Sequence, residues 1–225
     1  MNHCSYIIIY GWAKKSTPRA KKLARGERRG YINEKAKKDV GGGHRPPRFG
    51  AWRQAEGVEH MRRKDREMGR GFALGVLDKA EWMTLAMTDG EGKPYCVPVS
   101  LVRDGEELIL HSAMLGEKAE CLRARPEVCI TAVGDTHVVP EEYTTEYESA
   151  IVRGRAREIT DPQEKLAALW TLTRRYCPEH LGQFDQMAGA SLKRTAVFRI
   201  AIQELTGKRK KYGKDGKELK FGAEE

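Results

Sequence analysis

The chain has 225 residues, room for one ordinary domain and an extension, and its 40% apolar content is enough for a core. No apolar run approaches the roughly 20 residues of a membrane span, so no membrane partner is expected. The net charge of +9 would suit nucleic acid, but residues 1–60 carry all of it, with 14 Lys+Arg against 5 Asp+Glu, and residues 61–225 balance at 27 of each.

Residues 1–60 show no sustained periodicity. They hold Gly41-Gly42-Gly43, Pro46-Pro47 and the basic pairs Lys14-Lys15, Lys21-Lys22, Arg28-Arg29 and Lys37-Lys38. Such a stretch buries too little apolar surface to offset its ordering entropy and is expected to be disordered. Ile7-Ile8-Ile9 is too short to span a membrane, and no small-residue cleavage site follows it. Orderly sequence starts at Met61. Ala55-Glu56-Gly57 just upstream could be encoded by a purine-rich ribosome-binding sequence, so residues 1–60 are expected to reflect a start assigned too early. The alternative is a basic tail for nucleic acid or a membrane surface. The five cysteines are scattered, with no Cys-x-x-Cys and no Cys/His cluster, the usage of a reducing cytoplasm.

From Met61 the elements follow in order. Asp65–Lys79 is a polar lead-in with Leu74 and Leu77 at helical spacing. Glu81–Thr88 alternates, with Met83, Leu85 and Met87 on one face, and reads as a strand. Asp89-Gly90-Glu91-Gly92 turns into a second strand, Pro94–Val102. Arg103–Glu106 turns again, into a third strand at Glu107–Ser112. A short helix over Gly116–Arg125 stops at Pro126, and a fourth strand covers Glu127–Val133. Gly134–Thr144 reads as a loop. Thr145–Ile159 is a long strand with a bend or bulge at Gly154. Asp161-Pro162-Gln163-Glu164 starts a helix, with Asp161 or Thr160 as its cap, that runs to about Tyr176, Pro178 opens a short second one to about Met187, Lys193–Leu205 is the last strand, and 206–225 is a polar tail.

Residues 107–128 carry the most chemistry. A strand ends at His111-Ser112-Ala113, a glycine opens a helix, and Lys118 sits in its first turn. Hydroxyl, backbone N–H groups and ammonium at one point make a phosphate site. Consecutive hairpins indicate an antiparallel sheet, and six strands in this length suggest a small closed or split barrel with flanking helices. Its interior is expected to hold Met83, Leu85, Val99, Leu101, Leu108, Leu110, Val128 and Ile130.

Four motifs then carry a resemblance. They are Met61-Arg-Arg-Lys-Asp-Arg-Glu67, Lys93-Pro-Tyr-Cys-Val-Pro-Val99, the His-Ser-Ala-x-x-Gly-x-Lys element at 111–118, and Phe198-Arg-Ile-Ala-Ile-Gln-Glu-Leu-Thr-Gly-Lys208. Over 61–211 the chain resembles the FMN-binding split barrels of the pyridoxamine 5′-phosphate oxidase superfamily, and within it the nitroimidazole-resistance, nitroreductase-like branch. The resemblance implies a homodimer with two FMN sites at the subunit interface. It implies that the flavin lies along Val97, Pro98, Val99 and Ser100, with its phosphate at His111, Ser112, Ala113 and Lys118. It places Ser149 where related oxidases offer the flavin a polar side chain. Three departures stand out: pyridoxamine-phosphate oxidases are basic at the positions of Val97 and Val102 and carry Arg at that of Glu117. That oxidase activity is therefore not expected.

The remaining signals are plainer. Trp170 reads as core or dimer packing, with a flavin-edge role as the alternative, and His137 and His180 as ordinary loop and helix residues. The basic run 207–211 reads as a solvated tail or as an attraction for an anionic group. There is no acid/base dyad, no Ser-His-Asp arrangement and no metal spacing, as expected where a cofactor carries the redox chemistry. The leading expectation is a homodimeric FMN-dependent oxidoreductase that passes electrons from a reduced nicotinamide to a small electrophile. The alternative is a haem- or deazaflavin-binding protein on the same fold.

Overall fold

The structure, a computed structural model, describes residues 61–222; the expectations for residues 1–60 and the last three residues lie outside the described residues. After one turn of 3-10 helix, the elements are β1 (Glu67–Met68), α1 (Arg70–Lys79), β2 (Met83–Thr88), β3 (Pro94–Val99), β4 (Val102–Asp104), β5 (Glu107–Ala113), α2 (Glu117–Ala124), β6 (Glu127–Val139), β7 (Thr144–Glu158), α3 (Pro162–Tyr176), α4 (Phe184–Ser191) and β8 (Thr195–Lys210). Asp161 caps α3 as expected, its carboxylate accepting from the Glu164 N–H at 2.8 Å.

Eight strands, not six, form one antiparallel sheet in the order β3-β2-β6-β7-β8-β5-β4, with β1 pairing β8 off this path. One added strand is β1. The other arises because the expected strand Pro94–Val102 breaks at Ser100-Leu101. There the chain leaves one edge of the sheet and enters the other, since β3 and β4 are the two ends of the order. Laid flat, seven strands about 4.8 Å apart would span roughly 29 Å. The three peptide steps from Val99 to Val102 reach about 11 Å at most. The sheet must therefore roll until its edges meet at Ser100-Leu101. No described strand pair joins β3 to β4 or β5, so the roll stays open beside this junction. This is a split barrel.

Strand boundaries also differ from expectation. The expected loop at 134–144 is mostly strand, because β6 continues past a bulge between Val133 and Thr136 and pairs with β7 to Val139. β8 runs on to Lys210, and the polar tail folds back through a Tyr212–Glu218 bridge. Pro178 opens a 3-10 segment to Gln183 before α4 begins. The expected irregularity at Gly154 is present as a register shift against β8. A Cβ there would lie 2.5 Å from the Ala201 carbonyl oxygen, so close strand approach requires glycine.

All eight residues expected inside the barrel are buried there, joined by Ala132, Val152, Phe198 and Ile200 from β6, β7 and β8. Ala73, Val76 and Leu77 of α1 and Ala119, Cys121 and Leu122 of α2 plug the same core. A second cluster lies on the outer face of β4, β5 and β8, where α3 covers Val102, Ile109 and Val197 with Ala168, Leu169 and Leu172. That core is buried on both sides of β5, which is why Leu108-Ile109-Leu110 reads as a continuous apolar run.

Candidate functional site

The split is the place where backbone groups lack a strand partner, and the direction of those groups follows from the pairing. At the β2–β3 hairpin, the Asp89 N–H donates to the Lys93 carbonyl at 2.9 Å. Hydrogen-bonded pairs alternate with open pairs in an antiparallel ladder. Tyr95, Val97 and Val99 therefore bond to Met87, Leu85 and Met83, whereas Pro94, Cys96 and Pro98 turn their main-chain groups outward. The prolines confirm this, because neither has an N–H to give β2.

The opposite lip is the end of β5. The Ile202 N–H donates to Glu106 and the Met114 N–H to Arg194, so even-numbered β5 residues bond to β8. His111 and Ala113 lie past the last β4 partner, Ile109, with their main-chain groups turned toward the split. The split is thus bordered by Cys96–Ser100 on one side and His111–Ala113 on the other. At the junction, the Tyr176 hydroxyl on α3 donates to the Leu101 carbonyl at 2.7 Å.

The expected site residues divide accordingly. Pro98 and Ser100 are exposed beside the split, Val99 is buried, and Val97 is half-buried against the core. His111 and Ser112 are both half-buried but project to opposite faces, as neighbours on a strand must. His111 shares the outer face of Ile109 and Val197, while Ser112 pairs with Ala196 on the barrel side. Ala113 is exposed. The next residues are held firmly: Arg123 donates to the Met114 carbonyl at 2.9 Å while forming a two-point ion pair with Glu158. Gly116 then opens α2 at φ +123°, a conformation that disfavours a side chain.

Lys118 lies one turn before Cys121 and Leu122, on the border of the buried stripe of α2. Burial alone pushes its ammonium below the usual lysine range, with no carboxylate acting on it. Glu117 stands exposed at the helix start. Tyr95 of β3 is pushed above the usual tyrosine range by burial first, then by the negative charge of Glu117 and Cys121. α2 itself packs on β2, β5 and β7. Val102, where pyridoxamine-phosphate oxidases are basic, is sealed beneath α3.

Ser149 stands apart from this group on the ladder of β8. It pairs with Lys208 on β8, whereas His111 pairs with Val197. Eleven residues of strand separate those positions, a path of at most roughly 35 Å along β8. Ser149 and His111 thus stand on well-separated parts of β8's ladder. The sequence reading missed Cys96, which the proline spacing Pro94-x-x-x-Pro98 would have marked as an outward-turned position. Trp170 packs edge-on against Phe184, 5.0 Å between ring centres, and the run 207–211 is largely the end of β8 rather than a tail.

The comparisons agree with this architecture. The family model of pyridoxamine 5′-phosphate oxidase matches residues 72–209, more than half of the chain. The chain belongs to this family. Within the fold of the pyridoxamine 5′-phosphate oxidase family, it is similar to a protein of Bacteroides thetaiotaomicron assigned a role in 5-nitroimidazole antibiotic resistance, at 27% identity over 62% of this chain and 83% of that one, with a TM-score of 0.52. It shares its fold with a flavocytochrome of Azotobacter vinelandii (20% identity, 68% and 73% covered, TM-score 0.57). It also shares its fold with an FAD- and haem-binding protein of Mycobacterium smegmatis (23% identity, 64% and 73% covered, TM-score 0.54). No curated protein matches the sequence. Among the described residues there is no helix long and apolar enough to cross a membrane and no cluster of side chains set to hold a metal ion.

Proposed function

We propose that the chain is an FMN-binding oxidoreductase of the cytoplasm that works as a homodimer and reduces a small electrophile, a nitroaromatic compound being the leading candidate. The observation that carries the reading is Lys118. A half-buried ammonium with its pKa lowered by desolvation and no opposing carboxylate is costly to keep charged. A phosphate dianion beside it would remove that cost through a charge-assisted hydrogen bond. The start of α2 and the Ala113 N–H add neutral donors at the same place.

The residues fit a flavin in kind. The split gives a flat ring one main-chain donor and several acceptors along β3, and Lys118 answers its phosphate. When bound, a flavin supplies the electron transfer. The chain's own residues hold and orient: Tyr176 fixes the junction, and Arg123 fixes the turn before α2. The likeness to a protein of 5-nitroimidazole resistance supports a nitroaromatic acceptor, and a reduced nicotinamide is the electron donor of this proposal. The absorption spectrum of the purified full-length protein tests the reading. Flavin bands are expected; a haem Soret band, or no visible band after incubation with FMN, would refute it.

A further inference from the structure

We infer that the open edge of β3 reads its ligand through one main-chain position, Cys96, whose adjacent N–H and C=O recognise the imide edge of a flavin ring. This rests on the flavin reading above and sharpens it to a single residue and a chemical edge. Three β3 residues turn their main chain toward the split: Pro94, Cys96 and Pro98. Two are prolines and offer only an acceptor. Cys96 therefore holds the one outward N–H of the strand, with its own carbonyl beside it.

That pattern selects among occupants. A strand added to this edge, from a second copy for instance, would need an N–H at every second residue and would find it at one of three. A planar ring needs less. The pyrimidinedione edge of a flavin sets an imide N–H beside a carbonyl, which answers one acceptor beside one donor. Haem has no such edge, and its polar periphery is carboxylate. A deazaflavin has the same edge as a flavin, so the shared chemistry is the imide. The Cys96 side chain is exposed on the outer surface, so its thiol takes no part.

The parity of the strand supplies a clean variant. Cys96→Pro removes the N–H at a position equivalent to Pro94 and Pro98, where β2 loses no hydrogen bond. Cys96→Ala keeps the N–H and removes only the thiol. Riboflavin, which has no phosphate, is titrated into the full-length wild type and both variants by fluorescence quenching. Cys96→Ala should bind as wild type, and Cys96→Pro about tenfold more weakly with an unchanged melting temperature. Riboflavin methylated at the imide nitrogen should bind wild type at least tenfold more weakly than riboflavin. 8-Hydroxy-5-deazariboflavin should lose as much as riboflavin on Cys96→Pro, and whichever of the two binds wild type more tightly identifies the source.

Equal riboflavin affinity for Cys96→Pro and wild type would overturn the inference, as would a change of oligomeric state in place of a change in affinity. Should Cys96→Pro fail to fold, the methylated ligand decides alone: affinity equal to riboflavin overturns the inference. Absence of any flavin binding by wild type would instead overturn the flavin reading itself.

Discussion

The two ends of the barrel are built by opposite rules. At the split, main-chain groups of β3 turn away from any described strand, a half-buried lysine faces no carboxylate, and Leu115 and Ala113 lie exposed beside the turn into α2. At the other end, charges are matched densely. Arg66 holds Glu218 at 2.6 Å, Arg63 donates to both Asp65 oxygens through Nε and Nη2, and Lys220 reaches Asp65 at 2.8 Å. Lys79 bridges Asp135 and Glu148, and the Arg209 guanidinium lies between the Phe72 and Phe221 rings. A shallow cleft of about 110 Å³ there is lined by both signs of charge, including Glu146, Glu148, Arg209 and Lys211, well short of the ~300 Å³ of an ordinary ligand pocket. The paired end closes the fold by tying the segment after Met61 to the residues after β8. The unpaired end leaves valence open for a ligand.

The largest expected effect strikes both ends at once. Phe198 is buried in the barrel and pairs with Leu110, three residues before the lip ends. Phe198→Ala should cost about 3–5 kcal/mol by urea unfolding and abolish flavin binding with the fold. Survival of full stability would mean that the two-sided packing of β5 and β8 does not hold the barrel.

Next comes the paired end alone. Arg66→Ala should cost about 1 kcal/mol of stability, a loss that shrinks in high salt, while leaving flavin affinity unchanged. Arg66 is the main reason the Glu218 carboxyl is held down to about 2 from its ordinary 4.5. The folded state binds that proton less readily than the unfolded chain. Its contribution is therefore complete above 4.5 and lost as pH falls through about 2. Acid titration of the melting temperature should show this loss in wild type and a smaller one in Arg66→Ala, where Lys220 still holds Glu218. A fall in flavin affinity on this substitution would break the separation of the two ends.

Tyr176→Phe removes the hydroxyl that holds the Leu101 carbonyl. It should cost about 1 kcal/mol and slightly weaken flavin binding, since the junction closes the split. The smallest effect is a pH trend. Lys118 loses its proton below the ordinary 10.5 in the folded chain. Between its lowered pKa and 10.5 the unfolded chain binds more protons, so the flavin-free protein should gain stability as pH rises through that window. FMN affinity should fall over the same range. Lys118→Met should flatten both curves in parallel scans of melting temperature and FMN fluorescence.

Much of the fold was legible because alternation in β2, β3 and the first half of β6 was clean and the turns carried Asp-Gly signals. All eight expected barrel residues are inside. The break at Ser100-Leu101 was not legible. Both halves are extended and apolar, and only pairing with distant strands shows that the chain changes edges there. The strand at 134–139 was hidden because Gly134 and Asp135 look like a turn, whereas they form a bulge within a long ladder. At the site, Lys118 and the glycine-led helix were visible as local features. The opposed faces of His111 and Ser112 follow from strand alternation and were readable but overlooked. The distance of Ser149 depends on the register of β7 against β8 and could not be read from the sequence.

The central claim is that the unpaired end binds a flavin phosphate through Lys118. Titrating FMN and riboflavin into wild type and Lys118→Ala tests it most directly. FMN should bind the variant about 10- to 150-fold more weakly, the equivalent of roughly 1.5–3 kcal/mol for a lost charged partner. Riboflavin, without the phosphate, should bind both proteins alike. Equal losses for the two ligands, or none for either, would contradict the account.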